Sequence, residues 1–151
     1  MKTSIKKLLR LTAFIAGICL IPGGRVAAQT FTTLYSFTNG IDGANPYAYQ
    51  GLVLSSNILY GTAYYGGPAG NGSVFAINTD GSGFTNLYCF DTNDTDYGSG
   101  GYGDPQAGLI LSGNTLYGTA RTGGTSNFGS VFKLNTDGTG FTIWTDIIKG
   151  T

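Results

Sequence analysis

Hydrophobic and polar residues alternate along most of this chain. In the stretch SVFAIN, Phe75 and Ile77 fall on one side of an extended backbone and Val74 and Ala76 on the other, because successive side chains of a strand point to opposite faces. Runs of this kind, each bounded by Gly, Asn, Asp or Ser, predict strands over 31–37, 52–55, 58–65, 73–78, 84–90, 109–112, 115–122 and 130–135, with a ninth beginning at Phe141. The segments SSN and SGN predict tight connections within each set. The pairs Gly66–Gly67 and Gly123–Gly124 open wider loops.

The pattern repeats. Residues 51–88 match 108–145 at a constant offset of 57, with 23 identities in 38 positions. LYGTA at Leu59–Ala63 returns at Leu116–Ala120, GSVF at Gly72–Phe75 returns at Gly129–Phe132, and NTDGSGF at Asn78–Phe84 returns as NTDGTGF at Asn135–Phe141. The opening FTTLYSF of Phe31–Phe37 returns as FTNLYCF at Phe84–Phe90 and then as FTIW at Phe141–Trp144. Its first offset is 53 and its second 57, so four residues are inserted in the loop DTNDTDYGSGGYGDP that follows Phe90. Repeat one covers about 31–83, repeat two about 84–140, and a third begins over 141–151.

Two features bear on packing. The second copy has Lys133 where the first has Ala76, so the Phe75 face is the better candidate for core. Leu59, Gly61 and Ala63 share a face, as do Leu116, Gly118 and Ala120; small residues there would admit a neighbouring backbone, as at the crowded centre of a radial arrangement. Composition agrees with strands: 26 Gly, 13% aromatic and only 11% charged residues fit a turn-rich, all-β protein rather than a helical or disordered one.

The N-terminus follows a different logic. Lys2, Lys6, Lys7 and Arg10 precede an apolar run from Leu11 to Ile21, and the small residues Val26, Ala27 and Ala28 follow. That order is the mark of a secretory signal peptide over 1–28, cleaved after Ala28. The competing reading, an uncleaved anchor, meets a run too short to span comfortably, since a spanning helix takes about 20 apolar residues. Cys19 follows Ile18 rather than the small residue that lipid attachment favours. Removing 1–28 leaves Arg121, Lys133 and Lys149 against eight Asp, a net charge of 3 − 8 = −5. A basic footprint for nucleic acid is absent. Only Cys89 remains, so no intramolecular disulfide can form, and no later segment is apolar enough to cross a membrane.

Four antiparallel strands recurring about every 40–50 residues are the signature of a propeller blade. The combined pattern GLxLSxNxLYGTAxxGG…GSVFxxNTDGxGFTxLYxF, covering nearly all of Phe31–Trp144, resembles the Gloeo/Verruco (GloVer) tandem-repeat family of exported bacterial proteins, and more loosely kelch blades. The resemblance implies secretion or cell-surface display, often with a C-terminal sorting ("choice-of-anchor") segment, and propeller architecture. It implies no catalytic residues. Two blades plus a strand cannot close a ring of four to eight, so the expectation is an incomplete, propeller-blade-like array: a truncated member or fragment, with self-association as the other route to closure.

Candidate chemistry is sparse. Asn78, Asp80 and Gly81 resemble the centre of an EF-hand loop, but the required oxygen ligands at its two ends fall on Ala76 or Lys133 and on Leu87 or Trp144. A hairpin turn accounts for the segment better. Asp91, Asp94, Asp96 and Asp104 in the insertion could hold Ca²⁺ or supply an acid/base pair for glycoside hydrolysis, although their spacing fits a solvated loop equally well. The chain has neither His nor Glu, which excludes a Ser-His-Asp triad and His-ligated metal within it. Cys89 aligns with Ser36 and has no base partner, so it reads as packing. The Gly pairs precede no helix and make no phosphate loop. Tyr64, Tyr65, Tyr97 and Tyr102 could stack on sugars or anchor a protein, yet the second repeat has Arg121 and Thr122 in place of Tyr64 and Tyr65. The sequence therefore predicts an exported β-repeat module that binds or supports at the cell surface, with polysaccharide or protein as partner. No catalytic, cofactor or metal residues are assigned. An Asp-based carbohydrate-active fragment and a non-functional truncation product are the alternatives.

Overall fold

The computed structural model describes residues 30–46, 51–91, 103–124 and 126–146. The chain divides into a unit of Met1–Thr32 and a unit of Thr33–Thr151. Residues 30–32 of the first carry no regular structure and are exposed. Eight strands are described, all in the second unit: β1 (Val53–Ser55), β2 (Ile58–Ala63), β3 (Ser73–Asn78), β4 (Thr85–Cys89), β5 (Ile110–Ser112), β6 (Thr115–Ala120), β7 (Ser130–Asn135) and β8 (Thr142–Asp146). They form two four-stranded antiparallel sheets, ordered β1-β2-β3-β4 and β5-β6-β7-β8. The described residues include no helix. The fold is all-β, with two blade-like sheets that each remain open.

The expected first strand, over 31–37, does not form: residues 30–38 contain no strand, whereas the strand expected from Phe141 is present as β8. The reason lies in how the sheets are composed. β4, the opening strand of the second sequence repeat, pairs with β3 of the first, through Val74↔Tyr88 and Phe75↔Asn86. In the same way β8 pairs with β7. Each sheet is thus completed by the strand that begins the next repeat, and the segment around Tyr35 has no earlier sheet to complete among the described residues.

Both of these last pairings carry a register shift at equivalent places, between Val74 and Phe75 and between Val131 and Phe132. The first leaves Leu87 unmatched. An extra residue at a bulge re-aims its neighbours, and here both Leu87 and Tyr88 pack against one core cluster.

Each repeat is centred on four aromatic rings. Tyr35 stacks on Phe84 at 4.0 Å while Phe37 meets Phe75 edge-on at 5.3 Å. In the second repeat Tyr88 stacks on Phe141 at 3.6 Å and Phe90 meets Phe132 edge-on at 5.5 Å. Such pairs contribute about 0.5–1.5 kcal/mol each beyond the area they bury. The Phe75 face is core as expected, packing Phe75, Ile77 and Ala63 with Tyr35, Phe37, Leu59 and Phe84. The opposite face is core as well. Tyr60, Val74 and Ala76 join Phe90, Leu109, Leu116, Phe132 and Leu134 in one cluster, because the second repeat lies on that side of the first sheet.

The small residues of β2 and β6 admit side chains rather than a backbone. A Cβ on Gly61 would lie 2.6 Å from Phe75 Cζ and 2.6 Å from Leu52 Cδ2. On Gly118 it would fall against Phe132 and 2.9 Å from Leu109 Cδ2. An aromatic ring laid over a cross-strand glycine fills the notch that the glycine leaves. Gly61→Ala and Gly118→Ala should therefore each cost about 1–3 kcal/mol, the usual range for overpacking a filled core. Urea unfolding checks this: midpoints unchanged from wild type would mean the rings do not rest on these glycines.

Candidate functional site

The recurrent NTDG segment is a turn in both copies. Gly81 N–H donates to Asn78 O at 2.9 Å and Asn78 N–H to Ser82 O at 2.9 Å; Gly138, Asn135 and Thr139 repeat both bonds at 2.9 Å. The Asp carboxylate accepts from inside the turn. Asp80 Oδ1 takes the Ser82 N–H at 2.9 Å and hydroxyl at 2.6 Å, and Asp137 Oδ1 takes those of Thr139 at 2.9 and 2.7 Å. These bonds hold both carboxyls below their ordinary range. Gly81 and Gly138 both have a φ of 85°, which glycine adopts without strain. A side chain there would also meet the leading segment of the same repeat, 2.6 Å from Leu34 O or 3.1 Å from Leu87 O.

The insertion gives a divided result. Asp94, Asp96, Tyr97 and Tyr102 lie outside the described residues. Asp91 and Asp104 are described, and Asp104 faces the junction between repeats rather than open solvent. Its carboxylate lies 3.8 Å from Arg121 Nη1, which also donates to the Tyr64 hydroxyl at 3.3 Å. Burial pushes the Asp104 carboxyl up, while the Arg121 charge and a hydrogen bond with Tyr64 pull it back. The backbone joins in: Asp104 N–H donates to Asn71 O at 3.0 Å, and Arg121 N–H to Asp104 O at 3.1 Å. Tyr64, a candidate for stacking on sugar, is only 6% exposed and belongs to this junction. Tyr65 remains exposed and meets Tyr64 edge-on at 4.2 Å. Burial raises the half-buried Cys89 thiol, with a weaker opposing hydrogen bond from Asn86. Among the described residues, no three carboxylates or thiols come together in a way that could hold a metal ion.

Asp42 was not legible as a special residue. It is buried and accepts four bonds: the Thr38 hydroxyl at 2.7 Å and N–H at 2.8 Å, the Tyr35 hydroxyl at 3.0 Å and the Gly40 N–H at 3.2 Å. The Thr38 bonds come first among the causes that lower its carboxyl to about 2. The sequence signal would have been a Thr four positions before an Asp directly after an aromatic segment, which is too common to single out.

The remaining feature is an open sheet face. Val53, Tyr60, Thr62 and Val74 of the first sheet correspond at the 57-residue offset to Ile110, Tyr117, Thr119 and Val131 of the second. In the first sheet the second repeat covers them: Tyr60 is 4% exposed, and Thr62 Oγ1 donates to Ala107 O at 3.4 Å. In the second sheet Ile110 is 69% exposed and Thr119 is also exposed. Together with Ala107, Ser112, Tyr117 and Val131 they line a depression of about 570 Å³. Its lining repeats, position for position, residues that the second repeat covers in the first sheet.

The carboxyls of Asp42, Asp80 and Asp137 are lower in the folded chain than the ~4 of an unfolded Asp. Their contribution to stability is therefore present above about pH 4 and is lost as pH falls through their folded values. Asp104 works in the opposite direction, its contribution being lost as pH rises through its raised value. The thermal midpoint should fall between about pH 4 and pH 2, and Asp42→Asn should flatten that limb. A wild-type midpoint that stays level across the window would contradict the assignment.

The described residues contain no helix, and so none long and apolar enough to cross a membrane. No curated protein and no solved structure matches the chain. The Gloeobacter/Verrucomicrobia repeat matches residues 24–150, a span that contains both sheets, both NTDG turns and the whole insertion. On that match, the chain belongs to the Gloeobacter/Verrucomicrobia repeat family.

Proposed function

We propose that this protein is an exported β-repeat module that acts at the cell surface or outside the cell by binding or by structural support, with no catalysis of its own. The observation that carries the reading is the interlocking of its repeats, in which one strand completes one sheet and supplies rings to the next core. That construction builds an extendable scaffold with large surfaces, as tandem-repeat proteins do. The use of the described side chains supports it: Asp42, Asp80 and Asp137 hold turns, and Asp104 with Tyr64 and Arg121 holds the repeats together. Export rests on the order of charge, apolar run and small residues over 1–28. Partners at that location are polysaccharide or protein.

Mass spectrometry of the culture medium and the cell-surface fraction tests the reading. The product should begin at Gln29, and it should release no reducing sugar from polysaccharide. A product retained in the cytoplasm with residues 1–28 attached would overturn export. Sugar release abolished by the combined Asp91→Asn, Asp94→Asn, Asp96→Asn and Asp104→Asn substitutions would overturn the non-catalytic assignment and favour an Asp-based hydrolase.

A further inference from the structure

We infer that the open face of the second sheet receives the exposed face of the first repeat from a second copy of this chain, giving a head-to-tail assembly. The inference rests on the module reading above and names a partner for its open face. The contact would continue an interface already formed inside the chain. The surface made by Tyr60, Thr62 and Val74 is filled by the second repeat, and the residues of that repeat packed into the shared core include Leu87, Leu109 and Leu111. The surface made by Ile110, Tyr117, Thr119 and Val131 has the same residue types at the same register and is open.

The complementary surface is also on the chain. The counterparts of Leu87, Leu109 and Leu111 in the first repeat are Leu34, Leu52 and Leu54. All three are exposed, Leu52 at 54% where Leu109 is at 6%. Leucines that are core in one repeat are therefore exposed in the other, and among the described residues the second-sheet face that matches their expected partner surface is open as well. Apolar area of this kind gains by leaving water. One substitution limits the fit. Lys133 stands where Ala76 is buried in the first sheet, so a docked copy must leave the amine at the edge and cover only its stem.

The two faces are different surfaces, so the contact is heterologous, and repeating it gives either a closed ring or an open filament. Counting only the two described sheets of each copy, closure at four to eight blades takes two to four copies.

Sedimentation of the full chain, its Leu52→Asp and Ile110→Asp variants, and their equimolar mixture tests this, with circular dichroism to confirm that each variant keeps its strands. Both substitutions are at exposed positions, so the fold should tolerate them. The wild type should assemble. Each variant alone should be monomeric, its association weakened about a hundredfold or more by a carboxylate buried without a partner. The mixture should give a 1:1 dimer that grows no further, because each variant retains one intact face. Leu54→Asp and Thr119→Arg, on the same two faces, repeat the test independently. A monomeric wild type would overturn the proposal, while leaving the exported-module reading to the mass of its product. Association by Leu52→Asp alone would also overturn it, since that requires a symmetric contact between two second-sheet faces.

Discussion

The strand β4 belongs to two structures at once, and the rest of the fold depends on it. Its backbone is the last strand of the first sheet, paired with β3 from Ser73↔Cys89 to Ala76↔Thr85. Tyr88 stacks on Phe141, and Phe90, immediately after the strand, meets Phe132 and is fully buried. A backbone tied to one sheet thus delivers rings to the core of the next repeat. The register shift opposite Val74 and Phe75 makes the arrangement possible, because it turns consecutive residues toward the same cluster.

Much else follows from that sharing. The second repeat must lie against the first sheet, so Val74 and Ala76 are buried even though the equivalent positions in the second sheet, Val131 and Lys133, are not. The handover from β3 to β4 must also return the chain at a fixed angle. The NTDG turn does this with its own Asp as acceptor and with a glycine against the leading segment of its repeat. Its carboxylates are turn groups for the same reason that they are poor ligands: both Oδ1 atoms already accept from Ser82 or Thr139.

Much of this architecture was legible in the sequence. The 57-residue offset, the alternation in SVFAIN and the Gly–Asp turns locate seven strands closely and the eighth from its start. The expected strand at 31–37 failed because local pattern carries no information about whether a pairing partner exists. The double burial of β3 failed for a related reason: Lys133 marks one face of the second sheet as wet, and only packing reveals that the same face of the first is dry. The site was less legible. Tyr64 looked like a surface aromatic, yet a junction with Arg121 and Asp104 buries it, and those partners are 57 and 40 positions away in the chain. Asp42 depends on a local loop whose shape no short motif specifies.

The central claim is that shared β4 makes the two sheets a single cooperative structure. Native-state hydrogen exchange, read at amides of β2–β3 and of β6–β7 in wild type and in Phe90→Ala, tests it most directly. The account predicts one common opening free energy for both sheets, lowered together by about 3–5 kcal/mol when the Phe90 ring is removed. Two separate opening energies in the wild type, or a loss confined to the second sheet in the variant, would contradict it.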